Sequence, residues 1–207
     1  MAQVTSGLLA VLSQPWIYEM SQRILMSDLA FARWVDEWVR VLPGQRVLDI
    51  GCGTADILRF LPSVGYVGFD MSERYIAAAK RRWGSRGDFY CGRVEHARMA
   101  AFGAFDVVVA RGVLHHLDDE EARQLFAFAH AALAPGGRVV TIDGCFVGGQ
   151  APLVRWLLEH DRGQNIRSEA GYLALSQTAF LSVRSTVRHD LLRVPYCHCM
   201  LECTRDF

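Results

Sequence analysis

The sequence predicts an α/β fold, a three-layer, doubly wound, mostly parallel sheet of seven strands whose last strand runs antiparallel. Three observations carry this expectation. Short apolar runs, "RVLDI", "GYVGFD", "FDVVVA" and "RVVTID", alternate with helix-like stretches, and such runs mark strands buried on both faces, as in a parallel sheet. Two further strand-like segments, "FLSVRSTVRHD" and "PYCHCMLECT", follow each other without a convincing helix between them. Strands so close in sequence pair antiparallel. Finally, 207 residues with 51% apolar and 21% charged side chains suit one domain with a sizeable core.

The elements follow in order. In "SDLAFARWVDEWVRVLPG" one helical stripe collects Leu29 or Phe31, then Trp34, Val35, Trp38, Val39 and Leu42, with Ser27 as N-cap and Pro43-Gly44 as the stop. After "RVLDI" a helix is expected from about Thr54 to Leu61, and after "GYVGFD" another from about Ser72 to Trp83. "DFYCG" and "FDVVVA" supply the third and fourth strands. Asp118 and Glu121 have the spacing of a capping box ahead of "ARQLFAFAHAAL". The "PGG" at 135 to 137 then turns the chain into "RVVTID", the fifth strand. Beyond it come a helix near "APLVRWLLEH", a polar stretch "DRGQNIRSEAG", a short helix near "YLALSQ", and the hairpin. Its last strand, near residues 196 to 204, is expected beside the fifth.

Composition excludes several classes of function. Twenty-two basic and twenty-two acidic side chains cancel, with no terminal run of like charge, so no nucleic-acid partner is expected. No segment has the roughly 18 apolar residues of a membrane span, nor does the start read as a secretory leader, which points to the cytoplasm. Cys52, Cys91, Cys145, Cys197, Cys199 and Cys203 mostly fall inside apolar runs and read as reduced thiols. In "CHCMLEC", strand alternation sends the three cysteines to one face with Leu201 between them, which favours core packing over a metal site. No metal is expected. Oligomeric state is not legible.

In a doubly wound sheet the ligand sits beyond the carboxyl ends of the strands, so the loops after Ile50, Phe69, Cys91, Ala110 and Ile142 ring the site. The loop after Ile50 reads Gly51, Cys52, Gly53, Thr54, Ala55, Asp56, without the third glycine of a dinucleotide fingerprint. Asp49 and Asp56 around it repel a diphosphate but tolerate ammonium and sulfonium charge. Asp70, at the end of the second strand, is placed to accept from both hydroxyls of a ribose. A positively charged nucleoside fits these features.

Taken together, "VLDIGCGTADIL", "GYVGFDMSERYIAAAKRR", "FDVVVARGVLHHLDDEE" and "ALAPGGRVVTID" resemble the successive motifs of class I S-adenosylmethionine-dependent methyltransferases of the small-molecule type. The resemblance covers roughly residues 44 to 143 and implies a Rossmann-like methyltransferase fold with S-adenosylmethionine as cofactor. It implies Asp49 and the Gly51-Cys52-Gly53 loop at the methionine portion, Asp70 on the ribose and Met71 against the adenine. Arg111 would offer its backbone carbonyl to the methionine ammonium, and Tyr18, on a helix folded over the cofactor, would meet the carboxylate. Where the family usually carries an aspartate for the adenine amino group, this chain has Arg93. An arginine has no acceptor. Glu95 substitutes for it, or Arg93 stacks on the adenine while the Val94 backbone reads its edge. On this reading one domain, 1–207, divides into a helical cap (1–43), a cofactor-binding core (44–143) and a substrate loop with C-terminal hairpin (144–207).

Methyl transfer is an in-line displacement that needs positioning above all, and a base where the acceptor is a hydroxyl or amide nitrogen. His115 and His116, at the mouth of the fourth strand, are the candidates; the alternative is that they orient the loop or cap the next helix. In the polar loop after the fifth strand, Arg162 and Arg167 are the candidates for clamping an anionic or carbonyl-rich small molecule. His189 and His198 read as structural. A non-catalytic protein that binds the cofactor, or an NAD-dependent oxidoreductase, are the competing readings.

Overall fold

In the computed structural model, residues 28–94, 102–161, 163–192 and 195–206 are described. The strands are β1 (Arg46–Ile50), β2 (Gly65–Asp70), β3 (Asp88–Cys91), β4 (Phe105–Arg111), β5 (Leu133–Phe146), β6 (Arg167–Ser168), β7 (Ser182–Arg188) and β8 (His198–Thr204). They lie in the order β3-β2-β1-β4-β5-β8-β7, with β6 paired to β5 off this path. β1 to β5 are mutually parallel, and β8 is antiparallel to both β5 and β7. The expected sheet, with its antiparallel last strand inserted beside the fifth, is therefore present. β6 is the addition: two residues pairing parallel with Cys145 and Phe146. A two-residue strand carries no periodicity to read, and it ties the polar loop to the end of β5.

Among the described residues five α-helices flank the sheet: α1 (Asp28–Trp34), α2 (Glu73–Trp83), α3 (Asp119–Ala132), α4 (Pro152–Glu159) and α5 (Glu169–Ser176). α1 runs on into a π-helical turn, Val35–Val39, and stops at Arg40, which takes a left-handed conformation (φ 44°). The stop thus precedes Pro43-Gly44. Arg138 of β5 donates to the carbonyls of Val39 and Arg40, satisfying groups that a helix end leaves open. Of the expected stripe, Phe31, Trp34, Val35, Trp38 and Val39 are buried, while Leu29 and Leu42 are exposed. The helix expected at Thr54 to Leu61 is reduced to a 3-10 turn, Asp56–Arg59. The Asp118 capping box forms as expected and starts α3, and Ser72 caps α2.

Two apolar layers result. On one face Trp34, Trp38, Ile76 and Met200 belong to a common cluster; on the other, Phe126, Ala129, Tyr172, Cys199, Leu201 and Cys203 do. Cys197 packs instead with Val154 and Leu158. The "PGG" stretch lies within β5, where the register with β4 shifts between Phe105 and Val107 and Gly136 sits at φ 74°. No helix among the described residues is long and apolar enough to cross a membrane. Strand order reverses between β1 and β4, and the crevice at their carboxyl ends is where the candidate residues gather.

Candidate functional site

The first half of the crevice is built by the turn after β1. Gly51 (φ 71°) and Gly53 (φ 56°) hold left-handed conformations, and a Cβ on Gly51 would strike Val113 of the neighbouring loop at 2.5 Å. Glycine is required there twice over. A Cβ on Gly53 would meet nothing within 4 Å among the described residues, which leaves that face free of them for a ligand. Gly51 and Cys52 donate their backbone N–H groups to the Phe69 carbonyl, locking the turn to the end of β2.

Asp70 ends β2. One carboxylate oxygen accepts from the Gly53 N–H at 2.9 Å and the other from the Ser72 N–H at 2.8 Å. The group is fixed in place, and each oxygen keeps a further lone pair. Asp49 is buried, 4% exposed, and accepts from the Tyr66 hydroxyl at 2.5 Å. Burial pushes its pKa up to about 7, against the Tyr66 hydrogen bond and the Arg111 charge, which pull it down. Burial likewise raises Asp70. Two carboxyl groups side by side in the crevice suit a cationic ligand and oppose a diphosphate.

The second half is built by the loops after β4 and β5. His115, in the 3-10 turn Leu114–His116, places Nδ1 2.7 Å from Oδ1 of Asp143, which also accepts its backbone N–H at 3.2 Å. Nδ1 therefore carries the hydrogen, and Nε2 faces Oδ1 of Asp161 at 3.6 Å. Burial lowers the His115 pKa, but the Asp143 hydrogen bond and the charges of Asp143 and Asp161 outweigh it, and the net shift is upward. Asp161 is held by the Tyr196 hydroxyl at 2.8 Å and the Gly163 N–H at 3.0 Å. A Cβ on Gly163 would overlap His115 Cδ2 at 1.9 Å, so only glycine lets this loop lie on the imidazole. His198 stands behind Tyr196, ring centroids 4.8 Å apart, its pKa lowered to about 4 by burial and by His115.

A profile of the methyltransferase domain family matches residues 47–137. That stretch is similar to a methyltransferase domain, in line with the resemblance of its motifs to class I S-adenosylmethionine-dependent methyltransferases. An uncharacterized methyltransferase of Synechocystis sp. is 27% identical over 135 residues, covering 62% of this chain and 63% of the relative. A ubiquinone biosynthesis O-methyltransferase of Azotobacter vinelandii is 32% identical over 111 residues, covering 51% of this chain and 47% of its own length. The chain thus spans less than two thirds of the length of these curated relatives. Among solved structures, Haemonchus contortus phosphoethanolamine N-methyltransferase 2, in complex with S-adenosyl-L-methionine, superposes with a TM-score of 0.73 at 14% identity over 95% of this chain and 58% of that one. This last likeness establishes the fold.

Within the matched core, the expected cofactor residues fall together only in part. Asp49, Gly51, Cys52, Gly53 and Asp70 line one turn, with Cys52 buried and Met71 half exposed beside it. Arg111 ends β4 and lays its guanidinium over the Phe31 ring, 5.0 Å from the centroid. Arg93 is paired with Glu121 at 2.9 Å, and Val94 packs against the cluster under α3. The charge of Asp56 is taken up by Arg82, which removes it from the argument against a diphosphate. Tyr18, Glu95 and Arg162 lie outside the described residues.

Arg167 requires a correction. Its Nε and Nη2 donate to Asp119 at 2.9 and 2.8 Å, Nη1 to the Leu114 and Asn165 carbonyls, and Nη2 also to the Leu117 carbonyl. All five guanidinium hydrogens are used. Arg167 holds the His115 turn and has no donor left for a substrate. His115 and His116 are distinguished as well: the carboxylates gather on His115, and His116 lies against it, ring centroids 4.2 Å apart. Nor do the histidines cap the next helix, since Asp118 does. Asp143, Asp161 and Tyr196 escaped the sequence reading. Asp143 alone had a signal, its place at the carboxyl end of a central strand.

Proposed function

We propose that this chain methylates a small molecule at a protic nitrogen or oxygen, with S-adenosylmethionine as donor and His115 as the base. The observation that carries the proposal is the Asp143–His115 pair at 2.7 Å, on the loop whose Val113 abuts the glycine turn. Asp49, the glycine turn and Asp70 would hold the cofactor, Asp70 through the ribose hydroxyls and Asp49 near the ammonium; Met71 and Val94 would flank the adenine and the Arg111 carbonyl would accept from the ammonium. When bound, the cofactor supplies an electrophilic methyl on a sulfonium. The chain's own part is to hold the acceptor and to accept its proton at Nε2, while Asp143 keeps the Nδ1–H tautomer in place.

The balanced charge of the chain favours a small acceptor over nucleic acid. Six free cysteines suit a reducing compartment, and we place the reaction in the cytoplasm. Isothermal titration with S-adenosylmethionine, S-adenosylhomocysteine and NAD is the first test. Binding of both adenosyl ligands without NAD supports the reading, and binding of NAD alone replaces it with a hydride-transfer enzyme. Turnover without His115, measured on His115→Ala against any acceptor the protein methylates, tests the base.

A further inference from the structure

Around His115 two buried polar atoms have no partner among the described residues: Oδ2 of Asp143, in a side chain 1% exposed, and Nδ1 of His198. Beside them, Nε2 of His115 and Oδ1 of Asp161 face each other across 3.6 Å. That separation is too long for a hydrogen bond and short enough for one atom to reach both. Nδ1 of His115 keeps its hydrogen on Asp143, so in the state able to take a proton Nε2 is an acceptor, and so is the Asp161 oxygen.

An atom about 2.9 Å from each of the two, at the apex of this triangle, must therefore carry two hydrogens to satisfy both. A hydroxyl has one. An amine in its ammonium form has them, and its charge matches Asp143 and Asp161. Among the described residues the cations nearby are committed elsewhere, Arg167 to Asp119 and the loop carbonyls and Arg111 to the Phe31 ring. An anionic acceptor would meet carboxylates here.

Resting on the methyl-transfer reading, we infer that the acceptor is an amine, seated as its ammonium between Nε2 of His115 and Oδ1 of Asp161. One proton passes from the ammonium nitrogen to Nε2, leaving a neutral amine with its lone pair and an imidazolium between two carboxylates. Asp161 keeps the second N–H. Tyr196 and the Gly163 N–H hold Asp161 in the orientation this requires.

The test is a binding measurement on the full chain saturated with S-adenosylhomocysteine. Matched trios of amine, alcohol and carboxylate are titrated: ethylamine, ethanol and acetate; benzylamine, benzyl alcohol and benzoate; and the corresponding naphthylmethyl set. The expected result is at least one amine binding tenfold or more tightly than its alcohol, with the carboxylate weakest. Asp161→Asn should erase that preference and leave S-adenosylhomocysteine affinity within twofold. Tyr196→Phe, which keeps the carboxylate but frees it to turn, should reduce the preference without abolishing it, so the inference stays testable if Asp161→Asn does not fold. An alcohol or carboxylate binding as tightly as the amine, no amine binding at all, or a full preference in Asp161→Asn overturns it. Failure to bind S-adenosylhomocysteine is a different outcome and overturns the methyl-transfer reading beneath it.

Discussion

The two halves of the crevice are assembled in opposite ways. Asp49, the glycine turn and Asp70 come from one strand-turn-strand passage, held by backbone bonds from Gly51 and Cys52 to Phe69. His115, Asp143, Asp161 and Tyr196 come from four separate segments, and side chains hold them together. The first half is a cradle built from backbone groups and two acids. The second is a side-chain network in which each group orients the next, so single substitutions there should act on turnover far more than on the fold or on cofactor affinity.

The largest expected effect follows directly. His115→Ala removes the base and Asp143→Asn removes the group that fixes its tautomer, and general-base loss costs about 10²- to 10⁴-fold in turnover. Cofactor affinity, measured by titration, should change less than twofold in either variant. Equal losses of turnover and cofactor affinity would erase the distinction between the halves. Turnover of the native protein should also rise with pH through the elevated His115 pKa, because Nε2 must be unprotonated to act. Asp143, Asp161, Arg167 and His198 all face that ring and set where the rise falls.

Arg167 sharpens the comparison from the side of stability. Arg167→Met removes a guanidinium whose every hydrogen is bonded, leaving the Leu114 and Leu117 carbonyls and Asp119 without it. The loss should be about 2–4 kcal/mol, since hydrogen bonds to charged groups contribute roughly 1.5–3 kcal/mol each but are not additive. Denaturant unfolding measures it. A clamp for substrate would instead show unchanged stability and weakened acceptor binding.

The sheet and the cofactor half were legible because their signals are local: apolar runs, a glycine turn, an acid at each strand end. The acceptor half was only half legible. His115 stands at a strand mouth, but nothing local in the sequence marks Asp161 or Tyr196 as its neighbours. Arg167 misled for the same reason in reverse. Its partner Asp119 lies 48 positions away in sequence, so an arginine with the look of a substrate clamp is fully satisfied within the fold. Chain proximity predicts backbone geometry well and charge pairing poorly.

In the cofactor half, Asp70→Ala deletes the carboxylate that the Gly53 and Ser72 N–H groups hold in place. Affinity for S-adenosylmethionine should fall about 10- to 100-fold, the equivalent of roughly 1.5–3 kcal/mol for a charge-assisted contact. Circular dichroism distinguishes this from unfolding. Unchanged affinity would remove the ribose assignment.

The smallest effect is the most specific to the cradle. Burial raises Asp49 to about 7, far above its ordinary value, so the free protein holds a proton there that the unfolded chain has already lost. This proton costs stability as pH rises from the ordinary carboxylate range toward 7, because the folded state then binds more protons than the unfolded one. A cationic ligand reverses the preference: it binds the ionised carboxylate, and below pH 7 binding must expel the proton. Affinity for S-adenosylmethionine should therefore weaken about tenfold for each pH unit below 7, since one unit corresponds to about 1.4 kcal/mol. Calorimetry in buffers of different ionisation enthalpy should register proton release on binding at pH 6 and little at pH 8. Asp49→Asn, which keeps an acceptor for Tyr66 but cannot ionise, should flatten the profile. If the native protein's affinity is level between pH 6 and 8, the cradle binds its ligand without help from this charge, and the cofactor half loses its claim to be tuned for a cation.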